Sequence, residues 1–290
     1  MTETSGAATD VAHCYRHPDR RAGVSCQRCD RPICPSCMIT ASVGFQCPEC
    51  VKGSPQAKVA TTLRHNATPY VTYTLIAINF AVFLLGLVQT RSGGGDEIFQ
   101  NYALGGNAVH AGEWWRIFTG GFLHADIIHI GFNMYALYAL GPALESLLGR
   151  AKFLALFTTC LVGGSAGALL LTDPSVGTVG ASGAIFGLFG ALIMLQVSRG
   201  INPLQNSLGM VLLLNLVLTF TISNISVGGH LGGLATGIVA GGVTFGTRQH
   251  PIQPGDPSSG VRTAFVVVLG IALAIAAVFI AYSVNVDPQF

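Results

Sequence analysis

The chain has 290 residues, of which 50% are hydrophobic and only 10% are charged. Soluble globular domains carry about 25% charged residues, so this composition excludes an ordinary soluble protein and favours a membrane protein. The formal net charge of +2 is too small to indicate a nucleic-acid partner.

The N-terminal part of the chain is polar and rich in cysteine. Residues 1–12 are small and polar and lack the apolar stretch of a cleavable signal peptide, so we expect a disordered tail there. In residues 13–52, seven of the eight cysteines and one histidine form four pairs, each with two residues between its members. The pairs are Cys14/His17, Cys26/Cys29, Cys34/Cys37 and Cys47/Cys50.

This spacing predicts a zinc-binding module, because one tight turn can then present two ligands to a tetrahedral ion. Four pairs supply the ligands for two structural Zn²⁺ ions. The pattern resembles a B-box-type cross-brace, which implies that the first pair shares an ion with the third and the second with the fourth. Two separate knuckles are the alternative connectivity, and a disulfide cluster is the alternative to metal. With so few apolar residues, the module is expected to fold only with metal and to bind a cytoplasmic partner or serve as a structural cap.

A hydrophilic linker at residues 53–69 leads to seven apolar segments, each close to the roughly 20 residues that a helix needs to cross a bilayer. We therefore predict an all-α polytopic membrane protein with six core helices in residues 70–246, a cytoplasmic loop at 247–261 and a C-terminal seventh helix. The spans are predicted at 70–89, 124–148, 152–172, 179–198, 207–223, 226–246 and 262–284.

Lys and Arg set the predicted orientation, since cytoplasmic loops carry an excess of these residues. With a cytoplasmic N-terminus, 13 of the 15 basic residues lie inside, and only Arg91 and Arg116 lie outside. The sequence thus predicts a multi-pass protein of the cell membrane with its C-terminus outside. The cysteine-rich module would then lie in the reducing cytoplasm, where disulfides are rare.

Polar side chains at membrane depth are functional-site hypotheses by default. In this orientation the second, fourth and sixth spans run from outside to inside, and each has polar residues in its outer third. The residues at this common depth are His129, Asn133, Ser182 and His230. Each alone has a structural explanation, such as a hydroxyl bonded to its own helix or a side chain that joins two helices. Their shared depth favours a single site.

The same four residues meet the needs of acyl transfer. A serine hydroxyl needs a base, which is most often histidine, and the oxyanion that forms needs preorganised donors. Ser182 opens a helix, so its N–H is available as a donor beside His129 and Asn133, which lie one turn apart. Glu145 lies about 18 Å beyond Asn133 at roughly 1.5 Å per residue, too far to join the site. The sequence therefore predicts a Ser182–His230 dyad without a third member and without a catalytic cofactor.

Glycines at helical spacing predict that the fourth and sixth spans pack closely, because small residues let membrane helices approach each other. The pairs are Gly183/Gly187 and Gly233/Gly237. A general enrichment of glycine in membrane helices is the alternative explanation.

Four motifs, in order, resemble the rhomboid intramembrane proteases over residues 70–246. The first, EWWRIFTGGFLHADIIHIGFN, contains Trp115, Arg116 and His124 and ends in the HxxxN pair. The others are GPALESLLG with Glu145, the GxSG serine motif in GASGAIFGLFGA, and the histidine motif in GGHLGGLATG.

The resemblance implies a six-helix core with Ser182 as nucleophile and His230 as general base and then general acid. His129, Asn133 and the Ser182 amide would form the oxyanion hole. The implied substrates are membrane-spanning segments of other proteins, cut near their outer end where helix-breaking residues let the strand unwind. The seventh span fits the 6+1 arrangement of some family members.

The resemblance also implies supporting positions around the dyad. Gly180 would leave room for the substrate strand, and Phe186 would stack on the catalytic histidine where relatives often have Tyr. Gly183 belongs to the serine motif, and Gly233 and Gly237 to the histidine motif.

Two other classes of function stay open at the level of sequence. One is a catalytically inactive rhomboid-like scaffold that binds membrane proteins, although loss of the serine or histidine would be its signature. The other is a ubiquitin-ligase-like or receptor protein whose zinc module recruits a partner while the helices serve as an anchor. A transporter is disfavoured, since no acidic relay residue lies at mid-membrane.

Overall fold

The computed structural model describes residues 12–40, 45–52, 68–92, 96–222, 225–246 and 258–283. Most of the predicted tail, linker and cytoplasmic loop therefore lies outside the described residues. The chain divides into two compact units, Met1–Ala67 and Thr68–Phe290.

The described part of the first unit consists of short elements around the cysteines. Strands β1 (Val24–Ser25) and β2 (Pro32–Ile33) form one antiparallel hairpin, and β3 (Ile39–Thr40) and β4 (Phe45–Gln46) form another. A 3₁₀ turn at Pro35–Cys37 and helix α1 (Pro48–Lys52) complete these elements. Apart from Ile33, the buried apolar side chains described in this unit are cysteines. So small an apolar core supports the expectation that the unit folds around metal.

The second unit is helical. Three short helices, α3 (Glu97–Tyr102), α4 (Gly106–His110) and α5 (Arg116–Thr119), and a 3₁₀ turn at Gly120–Phe122 lie between its first two long helices. Another 3₁₀ turn lies at Pro203–Gln205. The long helices are α2 (Tyr70–Arg91), α6 (Ile127–Leu148), α7 (Arg150–Leu171), α8 (Ser182–Ser198), α9 (Ser207–Thr221), α10 (Val227–Phe245) and α11 (Ser259–Ser283).

Two helices begin later than the sequence predicted. Helix α6 begins at Ile127, because the Asp126 carboxylate accepts hydrogen bonds from two N–H groups of its first turn at 2.8 Å. His124 therefore lies before the helix and not within it. Helix α8 begins at Ser182 and not at residue 179, because Gly180 has a φ of 121° that no α-helix accommodates.

The helix lengths are those of a multi-pass membrane protein. Among the described residues, α2, α6, α7 and α11 are long and apolar enough to cross a membrane, and α8 and α9 are shorter apolar helices. Helix α10 has 19 residues, of which seven are glycine. Its low content of large apolar side chains follows from its role in close helix packing.

Helix α7 is the central helix of this unit. In its most apolar 18-residue stretch, 67% is buried inside the structure, whereas the corresponding share is 17–33% in α2, α6 and α11. Helices α8 and α10 pack against α7 and against each other. A Cβ added at Gly233 would lie 1.9 Å from the Gly183 carbonyl oxygen, and one at Gly237 would lie 1.9 Å from that of Gly187. The predicted close packing of these glycine pairs is thus confirmed. Cys160 of α7 is fully buried next to Gly187.

Helix α11 packs along α7. The Thr159 hydroxyl of α7 donates to the Val266 carbonyl at 3.1 Å. Near the end of α11, the His110 ring of the α4 segment lies 4.7 Å from the Tyr282 ring. The C-terminal helix is therefore an integral part of the helical unit.

Glu145 joins the end of α6 to the start of α2. Its carboxylate accepts hydrogen bonds from the Val71 N–H at 2.9 Å, the Thr72 N–H at 2.8 Å and the Thr72 hydroxyl at 2.7 Å. A helix N-terminus has free N–H groups and a positive dipole end, so a buried carboxylate is well suited to it. This structural role accounts for the acid at the end of the second predicted span.

Candidate active site

Ser182 follows an extended segment that backbone hydrogen bonds hold in place. Leu104 and Thr178 exchange two such bonds, at 3.0 and 2.7 Å, and the Gly180 N–H donates to the Gly120 carbonyl at 2.9 Å. Ser182 is then the first residue of α8 and is half-buried. Its N–H therefore has no acceptor within the helix and stays available to a ligand.

His230 lies in the first turn of α10, which the Ser226 hydroxyl caps by accepting a backbone N–H at 3.1 Å. The imidazole stacks on the Phe186 ring, with centroids 4.1 Å apart and planes 19° apart. Phe186 is one helical turn after Ser182, and residues four apart share a helix face. The histidine ring is thus placed within about one turn of the serine.

His129 and Asn133 of α6 lie beside Gly180, two residues before Ser182. A Cβ added at Gly180 would lie 2.7 Å from His129 Nε2 and 3.8 Å from Asn133 Nδ2. Asn133 Nδ2 donates one hydrogen to the His129 carbonyl at 3.1 Å, which leaves its second hydrogen available. Two side-chain donors therefore border the backbone that leads into Ser182.

His124 lies behind His129, edge-on to it with ring centroids 5.0 Å apart. It is 2% exposed, and neither of its ring nitrogens has a hydrogen-bond partner among the described residues. His124 thus limits the positions of the His129 ring by packing.

The loop that holds the serine segment is itself fixed by the predicted WR pair. The Arg116 guanidinium is 7% exposed, donates to the Ala103 carbonyl at 2.9 Å and pairs with Glu113. The indole N–H of Trp115 donates to the Asn101 carbonyl at 3.3 Å. These contacts stabilise the short helices on which the serine segment rests.

Sequence reasoning missed one polar group of the site. The Thr219 hydroxyl, near the end of α9, lies 2.7 Å from His230 Nδ1. The available signal was its position: in the predicted orientation the end of the fifth span lies at the same depth as His230. Within the described part of the chain, no hydrogen bond joins the Ser182 hydroxyl to His230. In free enzymes such catalytic bonds are often long and tighten only with substrate.

The structure groups the eight predicted metal ligands into two clusters, in each of which the ligand atoms lie within 4.8 Å of one another. The grouping is that of the cross-brace, with the first pair beside the third and the second beside the fourth. The first cluster is Cys14, His17, Cys34 and Cys37, and the second is Cys26, Cys29, Cys47 and Cys50.

The ligand separations fit a tetrahedral zinc ion. In the first cluster His17 Nδ1 lies 3.8, 3.5 and 3.3 Å from the sulfurs of Cys14, Cys34 and Cys37. In the second cluster the sulfurs of Cys29 and Cys47 are 3.8 Å apart. Ordinary Zn–S and Zn–N bond lengths in a tetrahedron give about 3.8 Å between two sulfurs and about 3.5 Å between sulfur and nitrogen.

Electrostatics also favour a cation in the second cluster. The Arg31 guanidinium donates to Cys29 Sγ at 3.3 Å, and this hydrogen bond lowers the pKa of the Cys29 thiol. The hydrogen bond with Cys29 raises the pKa of the neighbouring Cys50 thiol to about 12. Thiolates packed this closely repel one another, so the four groups ionise together only around a cation.

Comparison with known proteins places the helical unit in one family. The model of the rhomboid domain matches residues 111–247, a range that contains the serine, the three other predicted site residues and Thr219. The matched range ends before α11 and does not include the cysteine-rich module.

Several curated proteins are similar to this chain. The rhomboid protease GluP of Bacillus subtilis (strain 168) is 32% identical over 194 residues, which cover 66% of this chain and 38% of that protein. The putative rhomboid protease YdcA of the same organism is 37% identical over 134 residues, or 45% of this chain and 67% of that protein. The rhomboid-like protease 1 of Toxoplasma gondii is 34% identical over 142 residues, or 46% of this chain and 48% of that protein.

The chain thus spans 38% of the length of GluP, which is well under two thirds. It spans 67% of the length of YdcA. The matched domain and the relatives agree with the family that the motifs of the helical unit resemble. The chain belongs to the rhomboid family.

Proposed function

We propose that this chain is an intramembrane serine endopeptidase that cleaves transmembrane segments of membrane proteins near their outer end. The observation that supports this most is the stack of His230 on Phe186, one turn below Ser182 at the start of α8. A histidine held beside the serine that opens a helix is the arrangement that acyl transfer requires.

In the proposed reaction the Ser182 hydroxyl oxygen attacks the scissile carbonyl carbon while His230 Nε2 takes the hydroxyl proton. The tetrahedral intermediate then collapses, the C–N bond breaks, and His230 gives the proton to the leaving amine. Water hydrolyses the resulting acyl ester by the same steps, with His230 again as base and then acid. The two residues are sufficient as a dyad.

The developing oxyanion would be bound by the Ser182 N–H, the His129 ring and the Asn133 amide. The Gly180 contacts support this assignment, since His129 Nε2 and Asn133 Nδ2 both border the backbone two residues before the serine. Such preorganised donors are worth roughly 10²–10³ in kcat each. Gly180 would leave space for the extended substrate strand.

For the orientation we propose a cytoplasmic N-terminus, six core spans and α11 as a seventh span, with the C-terminus outside. The distribution of 13 of 15 basic residues supports it. The scissile bond would then lie in the outer half of the bilayer, at the level of Ser182.

We also propose that the first unit binds two structural Zn²⁺ ions in its two clusters and serves as a cytoplasmic partner-binding module or cap. The fit of the ligand separations to tetrahedral zinc supports this. Catalysis would need no metal.

The decisive experiment is cleavage of a model transmembrane substrate by the purified full chain in detergent. We expect Ser182→Ala and His230→Ala each to lower kcat on the order of 10⁴-fold or more, because each removes a reacting group. The matched control is Ser198→Ala at the other end of α8, where the hydroxyl only donates to the Leu195 carbonyl. This variant should cleave at the wild-type rate.

Undiminished cleavage by Ser182→Ala would reject the mechanism, and undiminished cleavage by His230→Ala would remove the proposed base. A wild-type chain that binds the substrate without cutting it would instead favour an inactive scaffold.

A further inference from the structure

A polar side chain of the neighbouring helix α9 contacts the candidate base. Thr219 of α9 is 1% exposed, and its hydroxyl oxygen lies 2.7 Å from Nδ1 of His230, which is 9% exposed. This is the one side-chain hydrogen bond of the His230 ring within the described part of the chain. Nothing in the sequence motifs of the site includes Thr219.

Thr219 can either donate its hydroxyl hydrogen to His230 or accept a hydrogen from it, depending on where its single hydrogen lies. A threonine hydroxyl has one hydrogen and two lone pairs. That hydrogen points to the Asn215 carbonyl, 2.7 Å away and one turn earlier in α9. With its hydrogen on that carbonyl, the Thr219 oxygen has a lone pair that can accept from an Nδ1–H of His230. A neutral imidazole has one N–H, so Nε2 has the free lone pair.

We propose that Thr219 is a positioning residue that sets the tautomer and orientation of His230. This inference rests on the proposed protease function, in which Nε2 takes the Ser182 proton. Thr219 holds the ring nitrogen that does not react, and Phe186 holds the ring face from α8. The threonine thus takes the place that an acid has in a Ser–His–Asp triad, with a neutral acceptor instead of a carboxylate.

The Thr219 oxygen also stabilises the protonated form of His230. After the proton transfer both ring nitrogens carry a hydrogen, and the Nδ1–H keeps its buried acceptor. A buried N–H without an acceptor is costly, so removal of the Thr219 oxygen raises the barrier of this step. Thr219 is 1% exposed, so we expect its substitution to leave substrate binding unchanged.

The kinetic test compares three variants of the full chain in detergent. Thr219→Val keeps the shape but removes the acceptor, and kcat should fall between about 10-fold and 100-fold with KM unchanged. Thr219→Ser keeps a hydroxyl and should restore kcat to within about threefold of wild type. The control is Thr221→Val, two residues further along α9, where an exposed hydroxyl donates only to carbonyl oxygens of its own helix. It should leave kcat unchanged.

The tautomer itself is measured by ¹⁵N NMR of histidine-labelled protein, with the His230 signals assigned by their loss in His230→Ala. We expect the proton on Nδ1 in the wild type and in Thr219→Ser, and a mixture of tautomers in Thr219→Val. This measurement needs no turnover, so a failure of the protease function does not affect it. A wild-type proton on Nε2, or wild-type kcat in Thr219→Val, would overturn the proposal.

Discussion

Gly180 has a backbone conformation that few other residues adopt. Its φ of 121° is disfavoured for every residue with a Cβ, and a Cβ at this position would lie 2.7 Å from Nε2 of the His129 ring. A side chain at this position would therefore have two effects: it would strain the backbone of the serine segment, and it would displace the His129 ring. The glycine of the GxSG motif is explained by both constraints.

We expect Gly180→Ala to lower kcat about 100-fold, because the added methyl group, 2.7 Å from His129 Nε2, moves that donor away from the oxyanion. The measurement is cleavage of the model substrate at saturating concentration. Gly131→Ala is the control, since a Cβ at Gly131 in α6 meets nothing within 4 Å and should leave kcat unchanged. A Gly180→Ala variant with wild-type kcat would remove His129 from the proposed oxyanion hole.

The candidate site shows what sequence can and cannot predict at the level of residues. His129, Asn133, Ser182 and His230 were identifiable because a polar group in an apolar span is chemically conspicuous. Thr219 was not, because threonine is common in membrane helices and bonds to its own backbone. Only the packing of α9 on α10 shows which threonine of the segment LTFT faces the imidazole.

At the scale of elements, α8 and α10 approach each other through glycine. The Gly183/Gly187 and Gly233/Gly237 pairs bring backbone against backbone. These two helices hold Ser182 and His230, the proposed nucleophile and base. The separation of the helices that hold Ser182 and His230 is thus determined by backbone contacts at glycines, which have no side chain to repack. Their spacing in sequence predicted this contact, because packing between membrane helices depends on small residues.

Gly237→Ala should destabilise the helical unit by about 1–3 kcal/mol, because its Cβ would lie 1.9 Å from the Gly187 carbonyl oxygen and backbone cannot move aside locally. Thermal unfolding in detergent, followed by circular dichroism, measures the change in Tm. Gly86→Ala in α2 serves as the comparison, since a Cβ there meets nothing within 4 Å. Equal Tm values for the two variants would show that the α8–α10 contact is looser than described.

Hydropathy predicted that each long helix is present, but it did not predict the residues at which α6 and α8 begin. A hydropathy average over about 20 residues extends the predicted spans over Ala125 and Val179, which are apolar but not helical. The actual starts depend on single groups, the capping carboxylate of Asp126 and the φ of Gly180. A hydropathy average over a window of residues cannot detect such local features.

At the scale of the whole molecule, the chain combines two units with different sources of stability. The helical unit buries an extended set of apolar side chains around α7, whereas the described part of the first unit buries cysteines and Ile33. The proposed metal ions would therefore stabilise the first unit and not the helical unit. The resemblance to a B-box predicts the cross-brace grouping that the two clusters have, with separate knuckles as the alternative. Spacing within a pair alone does not determine which pairs meet in space.

Elemental analysis of the full chain should find about two zinc ions per molecule, from four tetrahedral ligands per ion. In the presence of a competing chelator, His17→Ala should retain about one, whereas His13→Ala, which lies beside Cys14 but outside the clusters, should retain both. Complete removal of metal should abolish hydrogen-exchange protection in residues 12–40 and 45–52 and leave α7 and α8 protected. Protection of the first unit without metal would contradict its proposed zinc-dependent folding.

The burial of Cys160 divides the eight thiols of the chain into two chemically separate populations. Seven lie in residues 13–52, and the eighth is 0% exposed against Gly187. An alkylating reagent added to the folded protein should reach the seven thiols once the proposed zinc ions dissociate, but it should reach Cys160 only when α7 and α8 separate. The rate of labelling can be measured separately for each cysteine-containing peptide. These rates therefore report loss of metal and opening of the helical unit as two independent events, without any introduced probe.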